Sequence, residues 1–284
     1  MNKQLLREKF ADCNDIPNLP KQAHRLLLAF SNPDIHNGDL AKIISEHPTI
    51  TARLIALANS AWAAPAMPVN SLERACVNLG LTIVRSVSIG LTLISPFNTV
   101  ACPAFKIQRF WISSKLVADA AVLLADVLPN QSQQEFMQTL HTGGLLHNLG
   151  LICLAHLKPK QTQQALLSAV ASPDLTVNQA LYEIMQTDYC EVGGLFAEIW
   201  GLPEDLGAVI KFHRHADYQG DQWLNIALIA NAAVMVSALF SNQVEAPVFA
   251  LADQLGISQA DQLQVFEKLK PMFVETSKLA KALF

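Results

Sequence analysis

At 284 residues, 51% of them hydrophobic, the chain can bury a large core, either as one big helical domain or as two packed lobes. A formal net charge of −4 provides no broad cationic field, which excludes the electrostatic footprint of a duplex-binding surface. Five cysteines, odd in number and without a Cys-x-x-Cys spacing, argue for reduced structural thiols rather than a disulfide framework, as in a cytoplasmic protein.

The first residues, Met-Asn-Lys-Gln-Leu-Leu-Arg-Glu-Lys-Phe, mix charges too early for a signal-peptide core. The longest apolar run, Ile226 to Phe240, is shorter than the ~20 residues that cross a bilayer and carries Asn231 and Ser237, so no membrane association is expected. Apolar residues recur at helical spacing throughout, and alternating strand patterns are absent, which predicts an all-α fold.

In chain order, a short helix is expected near Lys3 to Ala11 and a second from Pro20 to Phe30, ended at Asn32-Pro33. Asn37-Gly38-Asp39 caps a third through Ser45, and Pro48 opens a fourth that puts Leu54, Leu57 and Ala58 on one face and Arg53 on the other. Lys21, Arg25 and Arg53 read as solvated helix faces. Ala61 to Pro68 reads as a loop. Asn70 and Glu73 are spaced like a capping box, Leu79-Gly80 supplies the next stop, and Thr82 to Ile94 forms a further apolar helix. From Pro103 a long helix runs past Trp111 to Asp126, and Asn130 to Gln133 is a loop.

The stretch His141 to Leu154 reads as one near-continuous apolar helix carrying a single polar pair, His147-Asn148, among Gly143, Gly144 and Gly150. Lys158-Pro159 ends the text that follows it. Further helices are expected over Gln161–Ala171, Thr176–Gln186, Asp188–Trp200, Pro203–Phe212 and Asp221–Phe240. Ser258 caps a C-terminal amphipathic helix in which Pro271 should impose a kink or break.

The words Gly-Leu-Leu-His147-Asn148-Leu-Gly resemble the His-Asp motif of the HD phosphohydrolase superfamily, and most of all its HDOD branch. The resemblance extends to Leu40-Ala41-x-Ile43-Ile44-Ser45-x-His47-Pro48, Thr51-Ala52-Arg53-Leu54, Val69-x-Ser71-Leu72 and Gly193-Gly194 with Trp200-Gly201-Leu202-Pro203, covering about residues 15–240 in the family's order. It implies an all-α, multi-helical HD-like core over residues 103–241, preceded by a helical N-terminal lobe over 1–102 and followed by a helical extension over 242–284.

It also implies where ligands of an HD metal centre would stand. The first position falls at Ser113, the pair at His147 and Asn148, the next at Tyr189, the paired histidines at His213 and Arg214, and the closing aspartate at Asn231. A neutral amide offers only a carbonyl oxygen and an amide donor, a phenol is ordinarily protonated, and a guanidinium repels a cation. His147 and His213 are the ligands left, whereas a catalytic zinc takes three good protein ligands and harder metals want anionic oxygen.

The residues themselves favour plainer roles: His147 as a core histidine bonded to a carbonyl or to Asn148, Asn231 as a satisfied polar group in a helix interface, Tyr189 as an aromatic plug, and Trp111 and Trp200 as core anchors. The resemblance therefore implies a non-catalytic signal-transduction module of bacterial type, needing no cofactor and meeting other signalling proteins in trans. Its interaction surface would be the groove between the lobes or the exposed face of the helix after Ser258, although core packing is the simpler use of that helix. The alternative is a metal-dependent phosphohydrolase or phosphodiesterase with an altered ligand set, using a divalent metal on His147 and His213. A third reading keeps the old cavity as a nucleotide-binding sensor.

Overall fold

Proline and glycine set many of the helix limits in this chain, and burial of apolar stripes sets the rest. The computed structural model describes residues 17, 24–26, 29, 35, 37–128, 134–172, 174–215, 217–247, 249 and 252–284, and within them every regular element is a helix. The helix expected over Lys3–Ala11, the stop at Asn32-Pro33, the loop at Asn130–Gln133, Lys21 and Cys13 lie outside the described residues, as does most of Pro20–Phe30.

Helix α1 (Asn37–Ser45) precedes α2 (Pro48–Ala58), which Pro48 opens in its first turn. Ile50, Leu54, Leu57 and Ala58 form the buried stripe of α2. Arg25 pairs with Glu46 at 2.8 Å on the surface. Arg53, on the outer side of α2, donates from Nη1 to the Leu283 carbonyl at 2.9 Å, a cation placed at the far helix's C-terminus.

Helix α3 (Leu72–Leu79) starts from Ser71, whose Oγ accepts from the Arg74 amide; the expected Asn70/Glu73 cap is one residue early. Ser71 wins because starting there turns Leu72, Ala75, Cys76 and Leu79 inward together. Gly80, at φ +78°, then lets the chain bend by 114° into α4 (Leu81–Ile94).

The central helix, α5 (Ile107–Asp126), packs against α6 (Gln134–Leu146), α12 (Trp223–Phe240) and α14 (Gln259–Leu283). It begins at Ile107 rather than at Pro103. The Phe105 amide is committed to a turn on Cys102 and the Ala104 amide to Gln163 Oε1, so neither enters the helical ladder.

The expected continuous helix over His141–Leu154 is two helices, α6 and α7 (Leu149–Leu157), broken at His147-Asn148. His147 Nδ1 donates to the Gly144 carbonyl at 2.7 Å, and this side-chain bond supports the turn where α6 ends.

Pro159, expected to end the preceding text, opens α8 (Pro159–Ala171), and a Thr176/Gln179 capping box starts α9 (Val177–Met185). Helices α10 (Tyr189–Ile199) and α11 (Glu204–Phe212) follow, then α12, the short α13 (Ala252–Leu255) and α14. By length and composition α12 is apolar enough to cross a bilayer, but it lays Ile226, Leu228, Ile229, Met235 and Val236 into the protein core. Pro271 does not break α14: it sits on the exposed side, so the carbonyl it leaves unpaired is open to water. Most apolar residues of α14, among them Phe266, Leu269 and Leu279, are spent on core packing.

One cluster of buried side chains runs from Leu26 to Leu283 and joins the expected lobe, core and extension. Trp111 and Trp200 are buried in it, and Cys76, Cys102, Cys153 and Cys190 are buried free thiols. Two features lock its middle. A Cβ on Gly144 would strike the Ala118 backbone of α5, and one on Gly150 of α7 would strike Tyr189 and sit 2.5 Å from the Gly193 amide nitrogen of α10. Between α5 and α6, buried Lys115 and Asp119 pair at 2.5 Å, with His141 Nε2 3.6 Å from the same carboxylate. Burial pushes the Asp119 carboxyl up, but His141 and Lys115 outweigh it and hold the group below the usual carboxylate range.

Gly150→Ala is expected to cost about 1–3 kcal/mol or more in urea unfolding, because the added methyl meets backbone that cannot yield. Gly207→Ala in α11, where a Cβ meets only the Ala197 methyl at 3.8 Å, is expected to gain about 0.5–1 kcal/mol. Asp119→Asn is expected to lose about 3–5 kcal/mol in the same assay, since it leaves the Lys115 ammonium buried beside a neutral amide.

Candidate functional site

The break between α6 and α7 opens onto a cavity of about 630 Å³ walled by α5, α7, α8, α9, α10 and α12. Ser113, His147, Asn148, Tyr189 and Arg214 line it, so the structure brings these matched positions together. His213 and Asn231 do not line it. The His213 ring stands behind, 5.2 Å from the His147 ring in a T-shaped contact and 5.8 Å from Tyr189.

Each histidine is held by backbone. A carbonyl can only accept, so the Gly144 oxygen fixes His147 with its proton on Nδ1. The Val209 and Ile210 carbonyls, 3.1 and 3.2 Å away, do the same for His213. Burial lowers the His147 pKa to about 4, with the Gly144 bond opposing and the Arg214 charge assisting. Burial, then His147, then Arg214 drive His213 well below its ordinary value. Burial pushes the Tyr189 phenol up, as it does the Cys190 thiol. All four groups are therefore neutral at pH 7.

Asn148 is engaged by Ser114, whose single hydroxyl proton is shared between Asn148 Oδ1 at 2.9 Å and the Phe110 carbonyl at 3.1 Å. Asn231 corrects the expectation of a satisfied interface amide. It is 1% exposed, and among the described residues neither its Oδ1 nor its Nδ2 has a hydrogen-bond partner. An amide with both ends unpaired would cost about 1–3 kcal/mol.

The donor set does not fit an HD metal centre. Among the described residues, no three His, Cys, Asp or Glu side chains converge on a point that would hold an ion. No Asp or Glu lines the cavity among those residues. Cys190 Sγ lies 3.9 and 3.8 Å from His213 Nδ1 and Nε2, nearly equidistant and so not in line with the lone pair on Nε2. The charges that face the cavity are cationic: Lys106, Arg109 and Arg214.

Lys106 and Arg109 were not singled out by sequence, although they stand seven and four residues before Ser113, on the same helical face. Cys190 and Asn178, whose Nδ2 lies 3.4 Å from that sulfur, left no motif to find them by. His141 and His215 lie elsewhere, one against Asp119 and the other edge-on to Phe212. A larger groove, about 780 Å³ between α10 and α11, holds none of the matched positions.

Comparisons with known proteins agree with this architecture. The fold is similar to that of a candidate signal transduction protein of Marinobacter aquaeolei VT8, with TM-score 0.82 and 22% identity, covering 98% of this chain and 61% of that one. It is similar also to an HDOD domain protein of unknown function from Geobacter sulfurreducens, with TM-score 0.73 and 23% identity over 99% and 97% of the two chains. An uncharacterized protein of Treponema pallidum (strain Nichols) is 24% identical over 215 residues, 74% of this chain and 40% of that protein. The chain thus spans less than two thirds of the length of the first and last of these relatives. The model of the HDOD domain matches residues 16–216, and the chain belongs to the HDOD family.

Proposed function

We propose that this HDOD protein is a non-catalytic regulatory module of signal transduction that works by binding, to other proteins in trans and to a small ligand in its cavity. The observation that carries the reading is the chemistry of the cavity wall. Where the family resemblance puts metal ligands, the wall offers Ser113, Asn148, Tyr189 and Arg214, and no carboxylate lines it among the described residues. A hydrolytic centre needs anionic oxygen to hold its cation and to help deprotonate bound water. Three cations around the same space act in the opposite direction. The candidate signalling role of the Marinobacter protein, similar in fold, supports the regulatory part of the reading.

One observation favours the alternative, a metal-dependent phosphohydrolase. Both His147 and His213 hold Nδ1–H against backbone carbonyls, which leaves Nε2 with the lone pair a metal would use. Two imidazoles remain too few for a catalytic site, and the orientation serves equally to satisfy buried donors.

Protein expressed with added zinc and manganese and purified without chelator is expected to carry far less than one metal per chain by mass spectrometry. Turnover of p-nitrophenyl phosphate and bis-p-nitrophenyl phosphate with added manganese should not exceed that of His147→Ala. Stoichiometric metal together with turnover that disappears in His147→Ala would overturn the reading.

The histidines also set an acid limit. Their folded pKa values lie below the ordinary 6.5, that of His147 at about 4, so the unfolded chain binds more protons between those values. Stability is expected to be full above pH 6.5 and to fall as pH drops towards 4, by on the order of 1.4 kcal/mol per pH unit for each histidine. In urea unfolding across that range, His147→Gln should remove about one histidine's share of the slope. An unchanged slope would place the His147 ring in contact with solvent.

A further inference from the structure

From the charges and surfaces of the same cavity we infer that it binds, without any metal, a small organic anion of the phosphoryl class attached to a flat apolar body. The inference rests on the reading that the cavity holds no catalytic metal. Its first support is the sign of the charge. Lys106 and Arg109, at the start of α5, and Arg214, in the segment after α11, come from two separate places, and all line one space. In a chain of net charge −4 this local excess of cations is not a reflection of composition.

Among the described residues no carboxylate lines the space. The carboxylate adjacent in sequence to the lining residue Tyr189 is Asp188, and it is engaged as the cap of α10, accepting the Cys190 and Glu191 amides at 2.8 and 2.9 Å. Asn178, also in the wall, lies 3.5 Å from its other oxygen. Arg214 acts on the cavity floor, since its charge contributes to the shifts of His147 and Tyr189. The guanidinium of Arg109 is held in place: its Cζ stands 4.5 Å over the Phe240 ring, which lines the same space.

The second support is the shape and the remaining wall. A volume of about 630 Å³ lies within the ~300–1,000 Å³ range of small-molecule sites. Cations gather with neutral donors and acceptors at Asn148, Asn178 and Ser113, whereas Phe105, Phe110 and Leu151 supply apolar surface. A bidentate guanidinium matches a phosphoryl group, and aromatic and aliphatic faces match a planar ring. A simple inorganic anion would leave that apolar wall uncovered, and an uncharged ring would leave three cations unused.

The test uses the full chain with 1-naphthyl phosphate, 1-naphthol and inorganic phosphate as probes, read by calorimetry and by the rise in Tm. 1-Naphthyl phosphate is expected to bind with EDTA present and to raise Tm with concentration, while 1-naphthol and inorganic phosphate bind at least about tenfold more weakly. Arg109→Gln and Arg214→Gln should each weaken it about tenfold, and rising salt should weaken it further. Both side chains are exposed, so the variants should fold, and Lys42→Gln on α1 serves as the control that changes nothing. No binding of 1-naphthyl phosphate at millimolar concentration, equal binding of 1-naphthol, affinity retained in the double arginine variant, or binding abolished by EDTA would each overturn the inference. Arginine-dependent, EDTA-resistant binding followed by release of naphthol would support the anion site and overturn the non-catalytic reading alone.

Discussion

The contact between Gly150 and Gly193 sets how α7 and α10, which carry one wall of the cavity, approach each other. Two helices approach backbone to backbone because neither carries a side chain at the crossing, and Ile210 of α11 fills the other side of Gly193. The N-terminal end of α7, with His147-Asn148 just before it, is thereby set against Tyr189 and Cys190 of α10, and α11 delivers His213 and Arg214 to the same place. Packing here comes before chemistry. A methyl group at either glycine would move the polar groups apart whatever their identity, so this crossing can persist through any change in the ligand set.

Packing and charge can therefore be considered separately. Gly144 against Ala118 and Gly150 against Gly193 close the helices together, and backbone bonds orient both histidines. What differs from an HD metal centre is charge. Neutral Asn148 accepts from Ser114, neutral Tyr189 lines the wall, and Arg214 brings a positive charge where the family resemblance would put a second imidazole. Asn231 is a buried amide with no hydrogen-bond partner at either end among the described residues. A leucine there would pack without that penalty.

Much of the fold is legible in the sequence because proline, glycine and small polar residues mark helix ends by local stereochemistry. Pro48, Gly80, Thr176 and Ser258 all act at the limits where the residue pattern places them. The errors arise where tertiary context decides. The break at His147-Asn148 is hidden because Leu145, Leu146, Leu149 and Leu151 continue an apolar helical text across it, and the bond that supports the turn is a side-chain bond to Gly144. Pro271 reads as a stop, yet its exposed position lets water take the freed carbonyl. The long helix starts late because Gln163, 59 residues on in sequence, claims an amide that the local pattern assigns to the ladder.

The site was legible as a set of positions and less so as a surface. Aligning words finds residues that replace known ligands, and it is silent about residues that gain importance only after the replacement. Lys106 and Arg109 are of that second kind: in a cavity rimmed with acids they would be ordinary counterions, and here they set the sign of the field. The physical consequence reaches beyond recognition. An anion seated among groups from α5, α10, α12 and the segment after α11 would touch several elements at once, and any ligand that binds the assembled arrangement better than a loosened one shifts the population towards it. Chemistry is not required for such a cavity to report on its occupant; the differential affinity for two arrangements of the same helices is sufficient.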